Sequence, residues 1–312
     1  MKKVNIIIPY FGTFPNYFQL FLNSCKYNET INWTILSDCE ISYHVPTNVK
    51  IVATNFSEVR SRICAAFNFS PVIDTVHKLC EYKPAYAYLF PEYTEGYDYW
   101  GYGDIDLIYG DIRRFLTDEV LKYDKVFQLG HFTLIKNEKQ FNEMFMNPVL
   151  DRELYKEAFS SPDNYNFDEQ FLDRPNINTI FEQNGCSIWG KSYAADIYTK
   201  SNGFLIDKGD GNPEKKKEAI FVWDKGDLKR YVRSKGDVIE EEYMYIHLQK
   251  RAMSVRVNYG EDIYKIIPNA FEPLEVDLKS VKKEFDHIRK QRFNNQYMKI
   301  RFQNLKVKMK TI

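Results

Sequence analysis

The chain has 312 residues, of which 44% are hydrophobic, and its 43 Lys and Arg residues balance 43 Asp and Glu residues. This length accommodates one large α/β domain, or such a domain with an appended lobe, around a substantial core. The five cysteines include no Cys-x-x-Cys pair, which argues for a reducing compartment and against a zinc site or a disulfide framework. The N-terminal apolar run stops at Pro9, and no segment approaches eighteen apolar residues. The sequence therefore predicts a cytoplasmic protein with neither a signal peptide nor a membrane span.

The first part of the chain alternates strand-like and helix-like patterns. A continuous apolar run at Val4–Ile8 has the composition of a parallel strand buried on both faces. The pattern continues with a helix at Pro15–Lys26, strands at Asn32–Leu36 and Val49–Val52, and a helix at Phe56–Phe67. Such βαβ units predict a parallel sheet with a nucleotide at the carboxyl ends of its strands. Asp38 follows the second strand, where it could hold a ribose or a base edge, or simply cap a turn or a helix.

Lys83 precedes Pro84, which suits the first position of a helix that ends at Pro91. A cation just before a helix N-terminus can help to hold a diphosphate. A solvated lysine is the alternative interpretation.

The segment Tyr97–Asp111 contains Asp104-Ile105-Asp106, preceded by an aromatic run and Gly103. If that run is a buried strand, both carboxylates arrive at its carboxyl end. Carboxylate oxygens there are the ligands that Mg²⁺ or Mn²⁺ uses together with substrate phosphates. An Asp-x-Asp alone is weak evidence, and a solvated turn is the alternative.

The middle of the chain offers further polar candidates. We predict an amphipathic helix at Asp111–Leu121 and strands at Val126–Leu129 and Phe132–Ile135, with His131 between the strands facing a substrate or serving as a structural residue. A second helix is predicted to begin at Phe167. Its first turn contains Asp168 and Glu169, which would either cap the helix or act as a general base or acceptor ligand.

Ile220–Trp223 and Leu228–Val232 flank a turn and predict a β-hairpin. Alternating residues at Tyr243–Leu248 then predict a strand that carries His247, followed by Lys250 and Arg251. A histidine and two cations at a strand exit can complete a metal–diphosphate site, and imidazole suits Mn²⁺ better than Mg²⁺. An ordinary charged strand end is the alternative.

Charge is distributed unevenly along the chain. Residues 279–312 carry 11 Lys and Arg residues against Glu284 and Asp286, a net charge of +9 that leaves −9 for residues 1–278. Val281, Phe285 and Ile288 lie at helical spacing within this tail. A basic amphipathic helix can lie on an anionic membrane surface, although a helix packed on the domain would show the same pattern. Nucleic-acid binding is disfavoured because no recognised motif accompanies the charge.

Taken together, the ordered motifs resemble the GT-A class of nucleotide-sugar glycosyltransferases. More narrowly, they are similar to a bacterial family labelled as a domain of unknown function and found among polysaccharide-synthesis proteins. The resemblance covers roughly residues 4–270 and rests on Ile6–Gly12, Lys83–Tyr86, Trp100–Asp106 with Tyr109–Asp111, Gly130–Thr133, Phe167–Glu169 and Tyr245–Arg251.

The resemblance implies a metal-dependent transfer of a sugar from a nucleoside diphosphate, with UDP as the usual carrier. It implies that Asp106, Asp104 and His247 hold Mn²⁺ or Mg²⁺, with Asp104 also touching the donor. The same analogy assigns donor contacts to Pro9, Tyr10, Phe11, Asp38, Lys83, Lys250 and Arg251, acceptor contacts to His131 and Asp168, and the base of an inverting reaction to Asp168 or Glu169. The acceptor would be a glycan or a lipid-linked glycan of bacterial surface polysaccharide.

The expected architecture is a GT-A-like, mostly parallel sheet flanked by helices over residues 1–275. Its nucleotide-binding half would cover about 1–115 and its acceptor half about 116–275, followed by a basic helical tail at 276–312 on the inner face of the membrane. Two other functions stay open: a non-catalytic nucleotide-sugar or glycan-binding protein of the same fold, and a metal-dependent nucleotidyltransferase or phosphohydrolase. A phosphohydrolase or nucleotidyltransferase would release phosphate or pyrophosphate rather than a nucleoside diphosphate.

Overall fold

The computed structural model describes residues 1–170, 173–198, 204–207, 213–215, 218–234, 237–274, 283–285 and 302. Its strands in chain order are β1 (Val4–Pro9), β2 (Ile31–Ser37), β3 (Val49–Ala53), β4 (Tyr99–Gly103), β5 (Leu107–Tyr109), β6 (Lys125–Val126), β7 (Phe132–Lys136), β8 (Ile188–Trp189), β9 (Ala194–Asp196), β10 (Glu218–Asp224), β11 (Asp227–Ser234), β12 (Asp237–Glu242), β13 (Tyr245–His247), β14 (Ser254–Val255), β15 (Ile263–Ile267) and β16 (Ala270–Pro273). Its α-helices are α1 (Phe18–Lys26), α2 (Phe56–Ala66), α3 (Tyr86–Leu89), α4 (Ile112–Phe115), α5 (Lys139–Asn142), α6 (Leu154–Ser160) and α7 (Ile177–Gln183), and 3₁₀ helices cover Val76–Ala85, Pro91–Tyr93, Val120–Lys122 and Met144–Met146.

The chain divides into two compact units, each built from segments that are not contiguous in sequence. Unit 1 comprises Met1–Pro15, Asn28–Ile105 and Arg113–Ser192. Unit 2 comprises Asn16–Tyr27, Asp106–Ile112 and Tyr193–Ile312. The boundary after Ile105 assigns Asp104 to unit 1 and Asp106 to unit 2. The predicted division into a 1–275 domain with halves meeting near residue 115 stays a prediction.

Unit 1 is organised around a seven-stranded sheet of order β3-β2-β1-β4-β7-β6-β8. The strands from β3 to β4 are parallel neighbours, whereas β7 runs antiparallel to both β4 and β6. β1 lies in the interior of the sheet, and Val4–Ile8 is buried throughout, as expected for a parallel strand covered on both faces. The mostly parallel sheet predicted for the start of the chain is therefore present in this unit.

The strand order fixes where unit 1 can bind a ligand. Because β1, β2 and β4 are parallel, Pro9, Ser37 and Gly103 end their strands at the same edge of the sheet. The chain places β2 and β3 on one side of β1 and β4 on the other, so the order reverses between β1 and β4. In open α/β sheets, ligands bind beyond the carboxyl ends of the strands at such a reversal.

Unit 2 contains two sheets that the sequence did not predict as separate layers. One has six strands in the order β12-β11-β10-β15-β16-β14, and the other has three in the order β5-β13-β9. The predicted hairpin is confirmed as β10 and β11, joined by Lys225 and Gly226 with φ of 48° and 93°. Two consecutive positive φ values define the type I′ turn that matches the twist of paired strands. The prediction of a single central sheet was incomplete.

Two predicted elements after β5 are wrong, each because of a local bond. In place of a continuous helix at Asp111–Leu121 there are α4 and the 3₁₀ helix Val120–Lys122, and Thr117 Oγ1 accepts the Val120 N–H at 3.4 Å. Such side-chain bonds compete with helix formation. The strand predicted at Val126–Leu129 ends at Val126, because Phe127 has φ of 69° and its carbonyl accepts Lys125 Nζ at 2.5 Å.

Two predicted helix starts are also wrong. Pro84 lies inside the 3₁₀ helix Val76–Ala85, and α3 begins only at Tyr86. Residues 167–169 form a turn and a bend, and residues 171–172 lie outside the described residues. The next helix, α7, begins at Ile177, where the Asn176 side chain accepts the Asn178 N–H at 2.9 Å as an N-cap. Asp168 and Glu169 are therefore turn residues.

The predicted basic tail lies outside the described residues except for 283–285 and 302. Phe285 is 1% exposed and joins an apolar cluster of unit 2 with Ile220, Val222 and Ala270. Glu284 forms an ion pair with Lys265 of β15. The start of the tail thus packs on the six-stranded sheet, and its helical conformation is not confirmed.

Within the described ranges, no helix combines the length and the apolar character that crossing a bilayer requires.

Candidate active site

Unit 1 gathers charged side chains at the end of β4. Lys83 Nζ lies 2.7 Å from Asp104 Oδ1 and 3.4 Å from Asp168 Oδ2. It also donates to the Gly130 carbonyl at 3.0 Å. The Lys83 side chain is 7% exposed and that of Asp104 is 33% exposed, so a buried cation supports a carboxylate that reaches solvent. The ammonium is thus shared by two carboxylates and a carbonyl, and its predicted contact with a donor diphosphate stays a prediction.

Burial sets the ionisation of this cluster. Desolvation raises the pKa of Asp168 to about 8, against the opposing charge of Lys83, and the charges of Glu169, Glu81 and Asp104 add to the increase. Burial by itself lowers the pKa of Lys83, but the neighbouring carboxylates outweigh it and the pKa lies well above its usual value. The pKa of Asp168 therefore lies close to neutrality, where both the acid and the carboxylate are populated. A carboxyl that titrates near neutrality is suited to general acid–base chemistry.

Asp168 is held from several sides. Its carbonyl accepts the Tyr102 hydroxyl at 3.0 Å, and the next residue, Glu169, accepts the Gly130 N–H at 3.1 Å. A Cβ atom at Gly130 would lie only 2.3 Å from Asp168 Oδ2. A residue larger than glycine at position 130 would have to displace the Asp168 carboxyl from this turn.

His131 follows that glycine and is 3% exposed. Its carbonyl accepts the Asp104 N–H at 3.1 Å, which ties the residue after β4 to the start of β7. The backbone of His131 thus helps to position Asp104, and its predicted contact with an acceptor stays a prediction.

The loop after β1 contains three of the predicted donor contacts, Pro9, Tyr10 and Phe11. Tyr10 stacks on Phe14 with ring centroids 5.5 Å apart, and Phe11 is buried. Asp38, exposed at the end of β2, accepts the Gly12 N–H at 3.0 Å. This bond joins the loops after two parallel strands and is the turn role that the sequence left open for Asp38. The donor contacts of these residues stay predictions.

Unit 2 aligns three side chains across its small sheet. In the strand register, His247 of β13 faces Leu107 of β5 on one side and Asp196 of β9 on the other. His247 Nδ1 lies 2.8 Å from Asp196 Oδ1, and Nε2 lies 3.4 Å from Asp106 Oδ1. Each imidazole nitrogen therefore faces a different carboxylate.

The charges of the neighbouring groups shift the pKa values of His247 and Asp106 in opposite directions. Burial lowers the pKa of His247, but the charges of Asp106 and Asp196 and their hydrogen bonds outweigh it and raise the pKa to about 10. For Asp106, burial is likewise opposed by the charge of His247 and by hydrogen bonds, and the pKa falls well below its usual value. The group is thus an imidazolium between two carboxylates when no cation is bound.

The segment after His247 adopts an uncommon backbone conformation. Gln249 and Lys250 both have φ of 55°, in the left-handed region that non-glycine residues seldom occupy. In this conformation the Lys250 N–H donates to Asp106 Oδ2 at 2.5 Å, and the Gln249 side chain donates to Asp196 at 2.6 Å. Such conformations concentrate at ligand-binding sites. Here they direct two further donors at the carboxylates beside His247.

Arg251 was predicted to face a diphosphate. Its guanidinium lies over the Phe204 ring, 5.3 Å from the centroid, and donates to Asn269 Oδ1 at 3.2 Å. Burial lowers the pKa of Arg251 to about 10. The diphosphate role of Arg251, like that of Lys250, stays a prediction.

The donor set of unit 2 fits a divalent cation. Asp196 accepts a hydrogen bond from Nδ1–H, which leaves Nε2 of a neutral His247 available to bind a metal beside the Asp106 carboxylate. The sequence identified Asp106 and His247 but missed Asp196 and Gln249. No motif marks those two residues, although Gln249 stands two positions after His247, the spacing that places residues on one face of a strand.

Comparison with known proteins gives a family but no activity. A model described as a family of unknown function, DUF6625, matches residues 6–275. The chain belongs to this family. No curated protein matches the chain. A crystal structure of an active-site mutant of LgtC matches with a TM-score of 0.33 and 11% identity, over 62% of this chain and 74% of that one. A likeness at that score does not establish a shared fold, so the function of this DUF6625 member has to be argued from its own side chains.

Proposed function

We propose that this DUF6625 protein is a metal-dependent glycosyltransferase. It would move a sugar from a nucleoside diphosphate, UDP by analogy with GT-A enzymes, to a hydroxyl group of a glycan or lipid-linked glycan in bacterial surface polysaccharide synthesis. The observation that carries this proposal is the pairing of Asp106 with His247, whose second nitrogen is bound by Asp196. A carboxylate beside an imidazole of fixed tautomer is a donor set for Mn²⁺ or Mg²⁺.

Asp106 and His247 would hold the cation, and Asp104, two positions before Asp106 in the sequence, would add a second carboxylate. The bound cation would neutralise the charge that develops on the departing diphosphate. For this role His247 must lose the proton on Nε2 and keep the proton on Nδ1, which it donates in the hydrogen bond to Asp196. Metal binding is therefore expected to release a proton.

The residues of unit 1 would bind the organic part of the donor. The edge where β1, β2 and β4 end supports a nucleoside site formed by Tyr10, Phe11 and Asp38. Asp104, partly exposed and fixed by Lys83, would contact the ribose or the sugar. Lys250 and Arg251 of unit 2 would contribute positive charge to the diphosphate.

Asp168 would act on the acceptor. In an inverting reaction its carboxylate takes the proton of the acceptor hydroxyl while the acceptor oxygen bonds to the anomeric carbon and the bond from that carbon to the diphosphate oxygen breaks. The pKa of about 8 allows this exchange near neutral pH. In a retaining reaction Asp168, Glu169 and His131 would bind the acceptor, and the anomeric configuration of the product distinguishes the two mechanisms.

A thermal-shift panel of UDP, GDP, CMP and ADP, each with Mn²⁺, Mg²⁺ or EDTA, tests the donor and the metal together. A ligand that binds only the folded state raises the midpoint of unfolding. We expect one nucleoside diphosphate to stabilise the protein only when the metal is present. Turnover should then release that nucleoside diphosphate from its sugar derivative. Release of phosphate or pyrophosphate would indicate a phosphohydrolase or a nucleotidyltransferase. Metal-dependent binding without turnover would indicate a binding protein.

Substitution of Asp106→Asn removes the proposed metal-binding charge and nearly preserves the side-chain shape. We expect the variant to fold and to lose the metal-dependent part of the shift. Asp98→Asn is the matched control, because Asp98 forms an exposed pair with Lys2. Wild-type donor binding in the Asp106 variant would refute the metal site.

A further inference from the structure

A buried carboxylate outside the proposed machinery holds the segment that leads to Asp168. Glu81 is 3% exposed and lies in the 3₁₀ helix Val76–Ala85. Its Oε1 accepts the N–H groups of Tyr165 and Asn166 at 2.5 and 3.0 Å. Its Oε2 accepts the Phe167 N–H at 2.8 Å. One side chain thus satisfies three consecutive backbone donors.

The backbone of this segment is shaped around the carboxylate. Asn166 has φ of 61°, and a left-handed residue within a turn directs successive N–H groups to a common point. Without the Glu81 carboxylate, the N–H groups of residues 165–167 would have no acceptor. An unsatisfied donor in a partly buried segment lowers the free energy of unfolding. Phe167 is fully buried in the apolar core of unit 1, which leaves its N–H little access to water.

The same 3₁₀ helix holds the segment at two other points. Lys78 donates to the Asp163 carbonyl at 2.6 Å and lies 3.9 Å from Glu81. Lys83, two residues after Glu81, contacts the Asp168 carboxyl. The chain on the N-terminal side of Asp168 and the Asp168 side chain are therefore contacted by side chains of the same 3₁₀ helix, Val76–Ala85.

We propose that Glu81 is a positioning residue, which sets the backbone of residues 165–167 so that Asp168 faces its acceptor. The role of Asp168 rests on the proposed function, whereas the hydrogen bonds between Glu81 and residues 165–167 do not. A carboxylate suits this task better than an amide, because both of its oxygens accept hydrogen bonds and neither donates.

Glu81→Gln tests the proposal, because it replaces one acceptor oxygen by a donor group at nearly constant volume. Amide hydrogen exchange at residues 165–167 should become about tenfold faster or more, since at least one bond is lost. In the transferase assay kcat should fall while KM for the donor stays near the wild-type value, because the donor contacts are untouched. A purely structural role would lower the stability of Glu81→Gln and would change kcat and the donor KM together.

Glu58→Gln is the matched control. Glu58 is an exposed carboxylate of unit 1 that accepts the Asn55 N–H in the capping box of α2. It should leave exchange at residues 165–167 unchanged. If Glu81→Gln does not fold, Glu81→Asp retains the charge with a shorter reach and should show the same changes in weaker form.

Unchanged exchange at residues 165–167 would overturn the proposal, and so would faster exchange with an unaltered kcat. Exchange is measured without turnover, so the two hypotheses fail separately. A wild-type protein that transfers no sugar would remove the proposed function, while the exchange comparison would still decide whether Glu81 holds the segment.

Discussion

Asp196 orients His247, the histidine that we propose as a metal ligand. It accepts from both His247 Nδ1 and the Gln249 side chain, so it fixes the ring orientation and the tautomer. Substitution of a residue that hydrogen-bonds a metal-binding histidine typically lowers the metal affinity by about 10- to 100-fold.

We therefore expect Asp196→Asn to weaken Mn²⁺ binding by about 10- to 100-fold. Electron paramagnetic resonance of free Mn²⁺ measures this directly and needs no turnover. Asp237→Asn, an exposed position on β12, makes the same change of charge and should leave the affinity unaltered. Equal affinities for the two variants would contradict the role assigned to Asp196.

The raised pKa of Asp168 predicts how stability depends on pH. The folded protein binds this proton more tightly than the unfolded chain, where the pKa of an aspartate is about 3.9. The resulting stabilisation is complete below that value and is lost as the pH rises through about 8. Between these limits the free energy of unfolding of the wild type should fall, relative to Asp168→Asn, by up to about 1.4 kcal/mol per pH unit.

Urea unfolding of both proteins at several pH values across that range measures the difference. Parallel pH profiles would show that Asp168 is ionised in the folded protein at neutral pH. The comparison with the Asn variant matters because other titrating groups affect both proteins equally.

Residues of the candidate site differed in how far the sequence revealed them. Asp104 and Asp106 could be predicted because an apolar strand and small glycines precede them, and His247 because strand alternation places it at an exit. Asp196 could not, since it ends a three-residue strand and its partner lies far along the chain in β13. Glu81 could not either, because the donors that it binds belong to backbone, which leaves no trace in side-chain identity.

At the scale of elements, the turn between β6 and β7 is the feature on which Asp168 depends. Gly130→Ala would place a Cβ atom 2.3 Å from Asp168 Oδ2. We expect a loss of about 1–3 kcal/mol in the free energy of unfolding, the usual cost of overpacking a close contact. The loss should shrink when the same change is made in an Asp168→Ala background, because the clashing atoms are absent.

A double-mutant cycle of unfolding free energies measures this coupling. Gly260→Ala is the control, because a Cβ atom there meets no neighbour within 4 Å. Additive effects of Gly130→Ala and Asp168→Ala would show that the two positions do not interact.

Helices and strands could be predicted where a run of residues is continuously buried. The predictions were wrong where a hydrogen bond between a side chain and the backbone ends the element. β1 and the β10–β11 hairpin follow from β-branched runs and a two-residue turn. In the segment predicted as one helix at Asp111–Leu121, the apolar positions Ile112, Leu116, Val120 and Leu121 are buried as the helical spacing suggested, whereas Phe115 is half-buried. Two short helices and the residues between them bury these positions, so periodicity alone does not specify a continuous helix.

At the scale of the whole molecule, the basic tail of residues 279–312 is predicted to bind an anionic membrane surface. Phe285 and Glu284 attach its start to unit 2, so deleting the tail would also remove a buried aromatic residue. A sharper test replaces Lys306, Lys308 and Lys310 by Gln and leaves Phe285 in place. If the tail binds an anionic membrane surface, each cation contributes about 1 kcal/mol, and the loss should be on the order of 100-fold in vesicle binding.

Sedimentation with vesicles of anionic and of zwitterionic lipid measures that loss. Replacing Lys50, Lys122 and Lys139, which are exposed on unit 1, makes the same change of charge and should have little effect. Equal binding by the two triple variants would remove the membrane role and favour a tail that packs on the protein.

The interleaving of the two units also determines the order in which the protein can be assembled as it is synthesised. α1 and β5 emerge early, yet both belong to unit 2, whose remaining strands begin only after residue 193. Tyr17, in the segment leading into α1, packs on Phe271 in the finished protein, so its apolar surface has no native cover until almost the whole chain has been made. Contacts so distant in sequence form slowly, and the exposed surface invites aggregation in the meantime. A chain cut at residue 192 would retain every strand of the seven-stranded sheet but would leave β5 without β13 and Tyr17 without Phe271, so a single cut does not yield two independent halves.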